Sequence, residues 1–189
     1  MSTTSIRRRA AFAIATGTVA VASLAAAGAA NAAQPAGFSP VQSCTGLTGS
    51  ISYSPGLLSA SARTVHSVLT GTLTGCSGIN GAEAGTGTVT IVASGSSKTG
   101  AITQTGTMTV NWPAGSGLNP SNGTVTLRRV GTTSPFSVSG TFTSGAYTGA
   151  AVSSSLLVTT HTGSGTKAHP ITLQNYVNTA PLVASQNFG

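Results

Sequence analysis

Acidic side chains are almost absent from this chain. Its 189 residues include no aspartate, and Glu83 is the single acid beside 8 Lys+Arg and 3 His. Paired-carboxylate catalysis, an EF-hand and an aspartate-rich metal cage are therefore excluded within one chain. Charged residues make up 5% of the sequence, against about 25% in an ordinary soluble domain. Serine, threonine and 25 Gly take their place and predict a hydroxyl-rich surface.

The N-terminus has the pattern of a cleaved export signal. Arg7-Arg8-Arg9 precedes an Ala/Val/Leu-rich stretch, and Ala30-Asn31-Ala32 supplies small residues at the −3 and −1 positions. We expect residues 1–33 to be a signal peptide and residues 34–189 to be one secreted, extracellular β-domain. A membrane anchor is the alternative, which polar residues within the apolar run disfavour, so no membrane contact is expected after cleavage.

Two cysteines, Cys44 and Cys76, remain in the part expected to be exported. In an oxidising compartment their pairing is the default expectation. A catalytic or metal-binding thiol is the weaker alternative, because neither cysteine has a CxxC partner or a histidine at ligand spacing. We predict a structural disulfide that stabilises the fold by about 3–4 kcal/mol in the chain-entropy model.

Apolar and hydroxyl-bearing residues alternate with period 2 beyond residue 40, and this pattern predicts half-buried antiparallel strands. The clearest runs are Thr86–Ala93, Thr103–Trp112, Gly123–Val130 and Phe136–Phe142. Residues 57–70 also fit a helical spacing. The one predicted disulfide would join the chain on the two sides of this stretch, which favours a strand there.

A weak repeat, Gly-Thr-apolar-Thr, begins at Gly71, Gly87, Gly106, Gly123 and Gly140. We interpret its interval as two strands plus two turns. Since the interval varies, a β-helix is disfavoured. The prediction is an all-β fold, either a single antiparallel β-sandwich or a closed β-barrel with meander or Greek-key connections.

Motifs that carry chemistry are missing. There is no G-x-S-x-G elbow, no phosphate-binding loop and no aspartate to orient a histidine. His66, His161 and His169 have no metal-ligand spacing. We therefore predict no catalytic residue, no cofactor, no metal and no enzymatic activity. A secreted hydrolase centred on a histidine is the weakest alternative, and it requires two of these imidazoles to lie close together.

Three residues are candidates for facing a ligand: Trp112, Arg129 and Tyr147. Trp112 shares the inward parity of Val110, which favours a core plug over a sugar-stacking platform. Arg129 shares the inward parity of Leu127, so its guanidinium either extends to the rim of the fold or marks the lip of a ligand cavity.

Net charge indicates the class of partner. Without the predicted signal, five basic residues face one acid, a net charge of about +4, which favours anionic surfaces such as cell-wall polymers. The basic residues are too sparse for nucleic acid. The leading hypothesis is a non-enzymatic surface or matrix module, which either has a structural role or binds cell-wall or other glycans. Stacking on glycans requires that Tyr53, Tyr147 and Tyr176 are not all buried.

The alternative function is that of a carrier for a small apolar ligand. It requires a continuous barrel cavity lined by Trp112, Phe136 and Phe142. The sequence indicates neither the ligand nor the oligomeric state.

The chain resembles a group of small secreted actinobacterial proteins with no established activity. The likeness spans most of residues 41–158, and it lies in Cys44, the Pro55-Gly56-Leu57 turn, Cys76-Ser77-Gly78, Trp112 before Gly115-Ser116, and the glycine- and aromatic-containing run from Gly140 to Gly149. These are turn and core positions. The resemblance therefore implies an exported all-β domain and supplies no catalytic residue.

Overall fold

A computed structural model describes residues 38–78 and 85–187, which form a closed antiparallel barrel of eight strands. Each strand pairs with its neighbours in chain order, and β8 pairs with β1 to close the barrel. The all-β prediction is confirmed, and of the two expected architectures the barrel is the observed one. The predicted signal peptide, residues 1–33, lies outside the described residues. The strands are β1 (Phe38–Leu57), β2 (Arg63–Gly78), β3 (Gly85–Lys98), β4 (Ala101–Asn111), β5 (Ser121–Val130), β6 (Phe136–Ser144), β7 (Ala151–Thr162) and β8 (Ile171–Asn187).

Alternating burial along the strands separates an aliphatic interior from a hydroxyl-bearing exterior. In β5, Val125 and Leu127 are buried while Thr124 is exposed, as the period-2 pattern predicts. The four predicted runs fall on strands, except that Trp112 lies one residue beyond the end of β4. Residues 58–62 between β1 and β2 contain no helix, so the strand interpretation of residues 57–70 holds on both sides of this connection.

The Gly-Thr-apolar-Thr repeat was misinterpreted from sequence. Its five copies lie on five consecutive strands, β2 to β6. One interval therefore covers one strand and one connection, instead of the predicted two strands and two turns. The strands are 9–16 residues long, well above the usual five or six, which is why one strand fills the interval. The glycines allow neighbouring backbones to approach closely: a Cβ on Gly106 would lie 2.0 Å from the Val92 carbonyl oxygen.

A side chain bridges an irregularity where the barrel closes. The β1–β8 register shifts between Cys44 and Thr48. There the Asn178 amide of β8 accepts a hydrogen bond from the Leu47 N–H (2.9 Å) and donates to the Thr45 carbonyl oxygen (2.8 Å). The side chain thereby supplies the partners that the ladder omits.

Replacing Asn178 should therefore weaken the closure. We expect Asn178→Ala to lower the free energy of unfolding by about 2 kcal/mol, because two backbone groups lose their partners. Urea unfolding followed by tryptophan fluorescence measures this. Asn175→Ala is the matched control, since the Asn175 amide donates only to the exposed Thr160 hydroxyl. Equal losses in the two variants would contradict the bridging role.

The predicted disulfide is present between Cys44 and Cys76, which face each other directly across β1 and β2. Pro55-Gly56-Leu57, expected as a turn, forms the last residues of β1 instead. Within the described residues, no helix has the length and apolarity needed to cross a membrane.

Candidate functional site: the cationic end of the barrel

Up-and-down connectivity places alternate connections at the same end of the barrel. The connections 58–62, 99–100, 131–135 and 163–170 therefore share one end, which we call the cationic end. The opposite end carries connections 112–120 and 145–150, together with the outer ends of β1 and β8.

Every lysine and arginine of the described residues lies at the cationic end. Arg63 begins β2, Lys98 ends β3, Arg128 and Arg129 lie just before the end of β5, and Lys167 lies in connection 163–170. The histidines share this end: His66 is the fourth residue of β2, His161 the penultimate residue of β7, and His169 lies in connection 163–170.

No acid balances these groups within the described residues, because the chain's single carboxylate side chain, Glu83, lies outside them. Gly78 and Gly85, which flank that undescribed segment, lie at the opposite end of the barrel. The cationic end therefore carries charge of one sign, and its basic residues form no side-chain ion pair with a described residue.

Two of the five basic side chains hold the connections in place. Arg129 Nε donates to the Ser134 carbonyl oxygen (2.9 Å), and its Nη2 donates to that of Thr132. Its guanidinium also lies 5.0 Å from the centre of the Phe136 ring. Arg63 Nε likewise donates to the Gly56 carbonyl oxygen (3.1 Å). Arg129 therefore braces connection 131–135, whereas Arg63 links the start of β2 to the end of β1, the two strands that flank connection 58–62.

Arg129 points inward, as its strand parity predicts, but its guanidinium does not extend to a solvent-exposed rim. Only 5% of the residue is exposed, because connection 131–135 covers it. Burial lowers the pKa of Arg129, an effect that neighbouring Tyr53 partly offsets. Arg128 and Lys167 are exposed, and Lys98 and Arg63 are half-buried. Because Arg63 donates to the Gly56 carbonyl oxygen, we expect the other three side chains to contact a partner.

A hydrogen-bonded polar layer lies inside the barrel near the cationic end. Tyr53 donates to Gln174 Oε1 (2.8 Å), and Ser67 donates to Gln104 Oε1 (2.7 Å). Gln104 Nε2 donates to the Val65 carbonyl oxygen and to Ser97. Burial raises the pKa of Tyr53, while Arg129 acts in the opposite direction. Since these groups satisfy one another, binding is expected on the outer surface.

Trp112 and Tyr147 lie together near the opposite end, away from Arg129. Their rings pack edge to face with centroids 5.5 Å apart, and each residue is 8% exposed. Trp112 Nε1 donates to Ser121 Oγ (3.2 Å), and Tyr147 donates to Gln42 Oε1 (2.8 Å). The core-plug prediction for Trp112 is confirmed, and the three candidate ligand-facing residues do not form one site.

Side chains fill the barrel where a carrier would need a cavity. Phe136 and Phe142 are each 1% exposed, so a water-sized sphere touches almost none of either ring. Both belong to the same packed core as Trp112. The condition set for an apolar-ligand carrier is therefore not met among the described residues.

All three tyrosines are buried, with Tyr53, Tyr147 and Tyr176 at 5%, 8% and 1% exposure. Stacking on a glycan requires that at least one of these tyrosines is exposed. The hypothesis that they stack on a glycan is therefore wrong for these side chains. Contact with a polymer must use charges and hydroxyl groups instead.

His66 and His161 lie on strands that are far apart around the barrel. His66 on β2 and His161 on β7 are separated by β8 and β1, hence by three strand spacings or about 14 Å along the sheet. The described part of the chain contains no group of three His, Cys, Asp or Glu that could hold a metal ion. The close imidazole pair that a histidine-centred hydrolase requires is therefore not formed by His66 and His161.

Comparison with known proteins gives no relative: no family model, curated protein or solved structure matches this chain significantly. The resemblance to secreted actinobacterial proteins therefore stays a prediction.

Proposed function

We propose that this protein is a non-catalytic extracellular module that binds anionic polymers through the cationic end of its barrel. The observation that carries the proposal is the collection of all five described basic side chains at that end, without an acid among the described residues. The partner is a polymer that bears carboxylate or phosphate groups, as cell-wall polymers do.

Clustering makes a small net charge effective. Arg63 is paired with Ser97, the neighbour of Lys98, and β5 lies two strands beyond β3. These groups are therefore within roughly 5–15 Å of one another across the sheet. The screening length at physiological salt is about 8 Å, so neighbouring cations act jointly on a polyanion. The same charges spread over the whole surface would act separately.

Two features support an extracellular setting. The Cys44–Cys76 disulfide is compatible with an oxidising compartment. The N-terminal pattern is that of an export signal. A module with a single acidic residue, Glu83, is also suited to anionic surroundings, because like-charge repulsion from its carboxylates is minimal.

The test neutralises the exposed cations and measures retention on polymer. We expect Lys98→Gln/Arg128→Gln/Lys167→Gln to bind polygalacturonate at least tenfold more weakly than the unchanged protein at 50 mM NaCl, because Coulomb attraction is lost. For the unchanged protein, binding should weaken steeply towards 500 mM NaCl. Inorganic polyphosphate, tested in parallel, distinguishes phosphate from carboxylate as the preferred group.

A relocated-charge variant is the matched control. Adding Thr86→Lys, Thr88→Lys and Ser144→Lys to the neutralised protein restores net charge near the opposite end. We expect it not to restore affinity. Full recovery would show that net charge alone matters, and no binding by the unchanged protein at 50 mM NaCl would overturn the proposal.

A further inference from the structure

A shallow groove crosses the outside of the barrel over β4, β5 and β6. It has a volume of about 430 Å³ and is lined by Thr105, Gly106, Thr107, Thr124, Val125, Thr126 and Gly140, which we call the threonine groove. The volume is within the range of about 300–1,000 Å³ typical of small-molecule sites.

Strand register explains the walls and floor of the groove. Thr105 faces Thr126 across β4 and β5, and Thr107 faces Thr124. These two pairs form parallel walls of outward hydroxyl and methyl groups. Between them lies the row Gly106–Val125–Gly140, which presents backbone outward because Val125 points into the core and the glycines have no side chain.

The groove lies directly beside an exposed cation of the proposed binding end. Arg128 follows Thr126 by two residues on β5, so both side chains leave the same outer face, about 7 Å apart along the strand. Arg128 is exposed, and its backbone carbonyl oxygen accepts a hydrogen bond from Ser137 on β6 (3.3 Å). Arg128 is therefore the next outward-facing residue of β5 beyond the Thr105–Thr126 wall.

We propose that the threonine groove is the subsite for one acidic sugar unit of the anionic polymer, with the sugar's carboxylate on Arg128 and its ring hydroxyls on the threonines. This inference rests on the proposed function and specifies the chemistry of its ligand. The polymer would run along the strands, from the groove past Arg128 towards the cationic end.

The combination of groups selects this ligand chemistry. Arginine binds a carboxylate through two parallel N–H donors. Threonine hydroxyls both donate and accept, which suits the hydroxyls of a sugar. Trp112, Phe136, Phe142 and the three tyrosines are buried, so we expect hydrogen bonds rather than stacking on these rings to orient the sugar. A purely apolar ligand would leave four threonine hydroxyls without partners.

The test removes hydroxyls while preserving shape. Thr105→Val/Thr107→Val/Thr124→Val/Thr126→Val should bind trigalacturonate about tenfold more weakly in calorimetry at 50 mM NaCl, the loss expected for two or three hydrogen bonds. The matched control is Thr72→Val/Thr74→Val/Thr86→Val/Thr88→Val, which changes two facing threonine pairs on β2 and β3 and should leave affinity unchanged. Equal binding by both variants and the unchanged protein overturns the groove subsite.

A measurement on the unchanged protein guards against misfolded variants. In NMR titration with trigalacturonate, the backbone amides of Gly106, Val125 and Gly140 should shift in a saturable way. Shifts confined to connections 99–100 and 163–170, with normal affinity, would support the proposed function and contradict the groove. If neither trigalacturonate nor polygalacturonate binds to the unchanged protein, both the groove subsite and the proposed function are overturned.

Discussion

Raising the pH from 10 to 12 should destabilise the barrel, with a loss of roughly 5 kcal/mol in the free energy of unfolding. Burial raises the pKa of both Tyr53 and Tyr176, whereas a tyrosine in the unfolded chain ionises near pH 10. Below pH 10 both states keep the proton, and the stability is fully present. Above it the unfolded chain releases protons that the folded barrel retains, so stability falls by about 1.4 kcal/mol per pH unit for each tyrosine.

Urea unfolding at a series of pH values measures this slope. Tyr176→Phe is the diagnostic variant, because it removes one buried phenol, whose hydroxyl donates to the Thr70 carbonyl oxygen (3.1 Å). Its slope above pH 10 should be lower than that of the unchanged protein by the contribution of one tyrosine, while Tyr53 and Tyr147, whose pKa values burial also raises, keep their contributions. Ionisation of the tyrosines near pH 10, seen as absorbance at 295 nm while near-ultraviolet circular dichroism stays native, would contradict the prediction.

Loss of the disulfide is the second large effect that we expect. Cys44→Ala/Cys76→Ala should lower the free energy of unfolding by about 3–4 kcal/mol, because the unfolded chain regains the entropy of a loop of about 33 residues. The bond joins positions 32 residues apart, and both cysteines are buried. The paired ladder of β1 and β2 remains, so the variant should keep its strand content by circular dichroism.

Urea midpoints with and without reductant separate the bond from the substitutions. The reduced unchanged protein should unfold near the midpoint of the double variant, which itself should not respond to reductant. A loss below 1 kcal/mol would show that the unfolded chain is already constrained between β1 and β2.

Strand positions were predictable because period-2 alternation reports burial on one face. Val125, Leu127 and their hydroxyl-bearing neighbours carry that signal without knowledge of the tertiary fold. The choice between sandwich and barrel was not predictable, since both give strands one dry face and one wet face. The decisive pairing, β8 with β1, joins residues more than 110 positions apart, which local patterns do not report.

The cationic end was missed, although the sequence carries a signal for it. Arg63, Lys98, Arg128 and Lys167 are 35, 30 and 39 residues apart. In an up-and-down barrel of long strands, each interval covers two strands and returns the chain to the same end. Interpreting the glycine repeat as two strands per unit concealed this. The inward turn of Arg129 was predictable from parity, but its cover by residues 131–135 depends on the fold of that connection.

Closure of β8 on β1 has a consequence for how the molecule comes into being. The outer edge of β1 finds its hydrogen-bonding partner only in β8, the last strand of the chain. A chain that lacks β8 therefore cannot close the barrel. Such a shortened chain has two unpaired edge strands with few charged side chains, and edges of this kind favour pairing between molecules. The barrel can therefore close only after the whole of β8 has been synthesised.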